Sequence, residues 1–177
     1  MTGSPARTAV HLARRFFGSL SPAAPRADDE AWARSQLLHG EARLWSAMAP
    51  ADRRHAAGVA RRVAAALGSD ATRPIVAAAL LHDVGKIDAG LGTAGRVVAT
   101  VAGLAGGIER AEEWAGRPGP VGRVGRYLRH PQIGADLLRQ AGSDPLTVAW
   151  AAEHHRPAAR WTLPPRVADA LKSADDD

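Results

Sequence analysis

Residues 74–88 read Pro-Ile-Val-Ala-Ala-Ala-Leu-Leu-His-Asp-Val-Gly-Lys-Ile-Asp. Every residue from Ile75 to Leu81 is apolar, the pattern of a helix buried on all sides at the centre of a fold. The run ends in two adjacent ionisable groups, His82 and Asp83. Burying a bare imidazole and a carboxylate side by side is costly unless something compensates both. A bound metal ion does so, because it accepts both ligands at once. Elsewhere the chain carries more ligands of the same kinds: His55, His130, His154, His155 and Asp175.

This set resembles the HD-domain phosphohydrolase superfamily. His55 matches its first histidine, His82-Asp83 the doublet that names it, and Asp175 the distal aspartate, with Asp169 and Asp176 as alternatives. His130-Pro131 and His154-His155 look like the extra histidines of the HD-GYP and related cyclic-dinucleotide phosphodiesterase branches. The segment His82-Asp83-Val84-Gly85-Lys86 matches the form that the doublet takes there. The resemblance covers roughly Asp52 to Asp175 and implies an all-α HD-domain helical bundle. It also implies that Lys86 contacts a substrate phosphate. The chain departs from the branch after the histidine pair, where Arg-Pro-Ala-Ala-Arg-Trp-Thr-Leu-Pro-Pro stands in place of a Gly-Tyr-Pro segment. That speaks against cyclic di-GMP specificity. The carboxylate that trimetal members place four residues before the first histidine is also missing, since position 51 is Ala and Asp52 is one residue out of register. Two ions are therefore expected rather than three.

Composition agrees with a helical reading. The 177 residues suffice for one domain with a sizeable core, and the chain is Ala-rich with few clustered β-branched residues. There is no cysteine, so any metal must be held by nitrogen and oxygen. Imidazole and carboxylate donors suit Fe, Mn, Zn or Ni. The formal net charge is +5, and nearly all cations are Arg, which binds phosphate bidentately. Arg and Ala richness together also reflect a GC-rich genome, which accounts for the bulk charge more simply. No stable nucleic-acid complex is expected. No run of about 20 apolar residues occurs, so no transmembrane segment is expected. The N-terminus lacks a signal-peptide pattern, and a cytoplasmic location follows.

Along the chain, Thr8–Leu20 reads as a short amphipathic helix that packs on its own domain or on a partner subunit of a homodimer, with an anionic membrane surface as the less favoured alternative. Residues 21–29 read as a Pro/Ala/Asp linker, so 1–29 form an arm and 30–177 the HD domain. Residues 30–48 carry Trp32, Leu37, Leu38, Leu44 and Trp45 on one or two helices with a break at His39-Gly40. His39 and His11 are ordinary surface or packing histidines. Pro50 starts the helix of His55, whose core stripe continues through Val59, Val63 and Leu67 until Gly68 stops it. A lone histidine on such a face is usually a hydrogen-bonded core residue. The 27-residue spacing from His55 to His82, two helices and a turn, favours a ligand.

Residues 93–126 form an insertion, a lid or side wall, whose glycines suggest short helices at Val97–Leu104 and Glu109–Ala115. Arg126 and Arg129 are candidate substrate-phosphate contacts, although a solvated basic face is the simpler account. His130-Pro131 opens a helix ended by Gly142, and Asp144-Pro145 opens the next, which runs to His154-His155. Adjacent helical side chains diverge by about 100°, so both histidines serve one centre only if it is wide or dinuclear, or if the helix ends there. Pro165 to about Ala174 forms the last helix.

Together these features predict a metal-dependent phosphohydrolase with two divalent ions bridged by Asp83 and a hydroxide held between them. The hydroxide attacks a phosphodiester or phosphomonoester of a nucleotide-like ligand while Lys86 steadies the developing charge. The competing classes are a non-catalytic HD module that senses a nucleotide or metal, and a helical adaptor with histidines in its core.

Overall fold

The computed structural model describes residues 24–104 and 107–177, and the Thr8–Leu20 helix expected above lies outside them. The described residues form α-helices and 3-10 turns with no strand, as the composition leads one to expect. The helices are α1 (Ala27–Ser35), α2 (His39–Ala47), α3 (Pro50–Leu67), α4 (Arg73–Leu81) and α5 (Thr93–Leu104). They continue with α6 (Ala111–Ala115), α7 (Gly119–Leu128), α8 (His130–Gln140), α9 (Pro145–Glu153) and α10 (Pro165–Asp176). Proline sits in the first turn of α3, α4, α7, α8, α9 and α10, where its missing N–H has no intrahelical partner to lose. Gly68, with φ +56°, stops α3 where the sequence places the stop.

The apolar run 75–81 is the axis of the molecule. All seven residues are buried, and α4 packs between α3 on one side and α9 on the other. Helix α10 lies along α3, and α8 lies along α9 and along the 3-10 turn Val84–Ala89 that follows the His-Asp doublet. Trp45, Leu80, Leu81, Leu138, Trp150 and Leu171 fill the space between these layers. The second turn of α3, the ends of α4, α9 and α10 and the start of α8 carry the candidate ligands, so the packing that buries the core also brings them to one place.

Three local readings need correction. The break between the first helices lies at Gln36–Leu38, ahead of His39-Gly40. Leu38 is extended, and its N–H donates to Glu41 Oε2 at 2.8 Å, which caps α2 at its first turn. Gly40 is inside that turn because a Cβ there would lie 2.3 Å from the Ala141 carbonyl oxygen. In the insertion, α5 starts at Thr93, four residues before the expected Val97. The expected Glu109–Ala115 helix is a 3-10 turn, Gly107–Arg110, followed by the short α6. Helix α7 was not foreseen at all. Its Gly122 and Gly125 are close-packing positions, since a Cβ would meet the Arg117 carbonyl oxygen at 1.8 Å and the Ala115 nitrogen at 2.2 Å. Last, α10 runs two residues past Ala174, which puts Asp175 in its final turn.

The insertion packs through α7 onto the Val84–Ala89 turn. It is also tied to α3 by Arg96, whose Nη1 and Nη2 meet Asp52 Oδ1 and Oδ2 at 2.5 and 2.8 Å, while Nε donates to the Leu91 carbonyl. A bidentate pair of this kind fixes orientation as well as distance.

Candidate metal centre

Three of the candidate histidines are oriented by the helix ends that carry them. His82 follows the last residue of α4, and its Nδ1–H donates to the Ala79 carbonyl at 2.9 Å. His154 follows α9 and donates in the same way to Ala151 at 2.9 Å. His130 opens α8 and donates to Tyr127 at 2.7 Å. A carbonyl oxygen can only accept, so in all three rings Nδ1 carries the proton and Nε2 is the atom turned inward. Metal-ligating histidines commonly donate their other ring N–H in this way, which fixes the tautomer and the ring orientation.

The inward atoms converge on Asp83. Its Oδ1 lies 3.2 Å from His130 Nε2 and 3.7 Å from His154 Nε2, and its Oδ2 lies 3.4 Å from His82 Nε2. On the far side of His82, Asp175 Oδ1 stands 3.4 Å from the same nitrogen and 3.0 Å from His55 Nε2. His155 Nε2 closes the other side at 3.2 Å from His130 Nε2. Two groups result among the described residues, His55/His82/Asp175 and Asp83/His130/His154/His155, each with its ligand atoms within 4.8 Å of one another. Asp83 stands between them with one oxygen toward each. Helix α9 ends at Glu153, so His154 and His155 share one cluster, with ring centroids 4.1 Å apart, as a helix end allows.

The donor set fits a metal. His82 Nε2 and His154 Nε2 are buried and have no hydrogen-bond partner, a condition that buried polar atoms seldom tolerate. Atoms sharing one ion at about 2.1 Å stand roughly 3–3.5 Å apart at ordinary bond angles. Two of the spacings around Asp83, 3.2 and 3.4 Å, fall in that range, and the third, 3.7 Å, lies just above it.

The electrostatics show how strongly the groups are coupled. Burial opposes a charge on His82, but Asp83 and then Asp175 outweigh it and hold the imidazole up at about 10. Burial would raise Asp83; the Lys86 ammonium, then His82, hold it well below the carboxylate range. For Asp175 burial is likewise overcome, by His82 first and then the contact with His55. His154 is held down by burial, only partly offset by Asp83. Lys86 Nζ forms an ion pair with Asp83 Oδ2 and lies 5.9 Å from the centre of the Tyr127 ring.

Other expected residues lie apart from the clusters. Arg126 donates to the Asp88 and Ala115 carbonyls, and Arg129 pairs with Glu112 at 3.8 Å. The expectation that they face a substrate phosphate therefore draws no support from their contacts, which tie α7 to its neighbours. Of the alternatives for the distal aspartate, Asp169 is exposed and Asp176 meets Lys172 at 2.6 Å; Asp175 alone is buried beside the histidines. Asp52 is engaged by Arg96.

The sequence reading missed Glu153. Its carboxylate accepts from the Thr162 N–H at 2.7 Å and the Thr162 hydroxyl at 2.9 Å, and its carbonyl accepts from Trp161 Nε1 at 3.1 Å. These bonds fold the chain back after α9 and fix the turn that holds His154 and His155. A buried carboxylate next to a histidine pair was the available signal.

The HD domain family model matches residues 54–176, well over half of the sequence. The chain belongs to the HD domain family. Family members are typically metal-dependent phosphohydrolases that bind divalent metals. No curated protein and no solved structure matches the sequence. Among the described residues, no helix of this HD domain is long and apolar enough to cross a membrane.

Proposed function

We propose that this HD domain hydrolyses a phosphodiester or phosphomonoester of a nucleotide-like ligand with two divalent transition-metal ions, Fe, Mn, Zn or Ni. The observation that carries the reading is the position of Asp83, one oxygen toward His82 and the other toward His130 and His154. His55, His82, Asp83 and Asp175 would hold one ion, and Asp83, His130, His154 and His155 the other. Bound ions supply Lewis acidity toward phosphate oxygens and an activated water at neutral pH.

The protein's own groups do the rest. The Nδ1–H bonds of His82, His130 and His154 to carbonyl oxygens fix three rings with Nε2 turned inward before anything binds, and on His82 an ion would displace the proton that Asp83 and Asp175 favour. His82 and His154 are buried against the core, whereas His55 is half-buried and His155 exposed. A phosphate ester therefore approaches over His55, Lys86 and His155. The Lys86 ammonium, already drawn to Asp83 Oδ2, is placed to meet the phosphate oxygens as they gain charge. In this reading the catalytic unit begins with α1, whose first turn, Ala27–Asp29, the sequence assigns to the linker, so the arm ends before Ala27, and 93–126 form a side wall pinned by Arg96.

The test is metal content together with hydrolysis of bis(4-nitrophenyl) phosphate and a panel of nucleotides, wild type beside Asp83→Ala. The variant is expected to lose metal and turnover with helical content unchanged. Retained turnover in the variant would sink the mechanism. Failure of the wild type to take up Mn, Fe, Zn or Ni would favour the adaptor reading.

A further inference from the structure

One helix grips two consecutive residues of another. Arg62 of α3 donates from Nε and Nη2 to the Ala174 carbonyl oxygen of α10, at 3.1 and 2.7 Å. His55, seven residues earlier on α3, meets the next residue of α10, Asp175, at 3.0 Å. Residues seven apart lie two turns along the same helix face, so α3 presents both groups to α10 from one side.

The contact meets a specific need. Carbonyls in the last turn of a helix have no N–H to accept from within the helix, and such turns are where helices fray. Ala174 and Asp175 lie in the last turn of α10. The Asp175 carboxylate is useful to His55 and His82 only if that turn stays closed, because its Oδ1 must sit between two imidazole nitrogens. Two N–H groups of a guanidinium converging on the Ala174 oxygen supply the missing donors. The positive charge also suits the C-terminal end of a helix. The residue next to it behaves differently: Arg61 turns away from α10 to Asp29, at 3.2 Å, and stacks on Trp32, 3.8 Å from the ring centre.

We infer that Arg62 is a positioning residue for the His55/His82/Asp175 site: it clamps the last turn of α10 and so holds the Asp175 carboxylate where a divalent ion needs it. The inference rests on the metal reading above for what the carboxylate does, and on hydrogen bonding alone for how it is held.

The experiment compares wild type, Arg62→Ala, Arg62→Lys and Arg61→Ala, each stripped of metal and titrated with Co(II) under argon while the visible absorption is followed. Wild type and Arg61→Ala are expected to take up two ions with the same affinities. In Arg62→Ala one ion should bind as in wild type and the other about tenfold or more weakly, the range for loss of an outer-shell partner. Arg62→Lys, with an ammonium in place of the two-armed fork, should fall between, and it serves as the test variant if Arg62→Ala does not fold. In the stripped proteins, amide exchange over residues 171–177 should quicken in the Arg62 variants alone. Unchanged Co(II) affinity and exchange in Arg62→Ala would overturn the inference, as would equal weakening of both ions or an equal effect of Arg61→Ala. Faster exchange in a protein whose wild type binds no Co(II) would uphold the clamp and remove the metal reading instead.

Discussion

His82 and His154 meet edge-on, ring centroids 5.3 Å apart and planes at 80°, and each leaves a buried Nε2 without a hydrogen-bond partner. The two nitrogens look toward different oxygens of Asp83, at 3.4 and 3.7 Å. This division predicts separable losses. His154→Ala should retain one ion per chain, held by His55, His82, Asp83 and Asp175; His82→Ala should retain the other. Asp83→Ala should lose both, because it serves each side. Metal analysis of the three variants after identical loading checks this. Loss of both ions in His154→Ala would mean a single site rather than two.

Lys86 forms an ion pair with Asp83 Oδ2. Replacing Lys86 with Met keeps an unbranched apolar stem and removes the charge. Lys86→Met should keep both ions and lose kcat by about 100-fold, the scale seen when one donor to a developing negative charge is removed. The measurement is turnover of bis(4-nitrophenyl) phosphate against metal content. A variant with full kcat and a raised KM would show that Lys86 binds substrate without favouring the transition state.

The Asp52–Arg96 pair crosses from α3 to α5, and its side chains are 11% and 20% exposed. Pairs at the surface contribute about 0–1 kcal/mol, and breaking a buried one costs about 3–5 kcal/mol. This intermediate case should therefore show a loss of about 1–3 kcal/mol for Arg96→Ala, and a smaller loss when Asp52→Asn is present as well. Urea unfolding of the two single variants and the double variant measures the coupling. Strict additivity would remove the pair as the anchor of the side wall. Both ions should remain in every member of the cycle, since Asp52 belongs to neither cluster.

What the sequence made legible follows from periodicity and from chemistry that has few alternatives. The apolar run 75–81, opened by Pro74 in an Ala-rich chain, pointed to a buried helix, and helix-starting prolines with stops at Gly68 and Gly142 marked the frame. The ligand residues were legible because a His-Asp doublet after such a run needs a partner; their convergence on Asp83 was not, since it depends on how α4, α8 and α9 cross. Glycines misled the reading in one direction. The glycines of the insertion suggested only short helices, whereas Gly122 and Gly125 lie within α7 at positions where backbones touch. Arg126 and Arg129 were candidate phosphate contacts because Arg suits phosphate; the bonds of Arg126 to the Asp88 and Ala115 carbonyls and the approach of Arg129 to Glu112 at 3.8 Å depend on the packing of α7 and were not legible. Arg62, Arg96 and Glu153 act through partners 112, 44 and 9 residues away, separations that no local pattern reveals.

Gly85 shows where the doublet segment and α8 meet. A Cβ at position 85 would lie 2.0 Å from the His130 carbonyl oxygen and 2.6 Å from the Gly134 nitrogen, and neither backbone atom can swing aside as a flexible side chain could. Gly85→Ala must therefore push α8 away from the Val84–Ala89 turn. That moves His130 relative to Asp83, whose facing atoms stand 3.2 Å apart. Forcing extra atoms into a packed interior costs about 1–3 kcal/mol, and here the upper end is expected because the neighbours are main chain. In a chain of this size that corresponds to a fall of roughly 6–12 °C in Tm. The selective consequence is at the metal centre: the ion of His130, His154 and His155 should weaken while that of His55, His82 and Asp175 remains. A Gly85→Ala protein of wild-type Tm with both ions at wild-type affinity would show that the two segments do not fix each other. Equal loss at both sites would mean that the strain spreads through α4 rather than through α8.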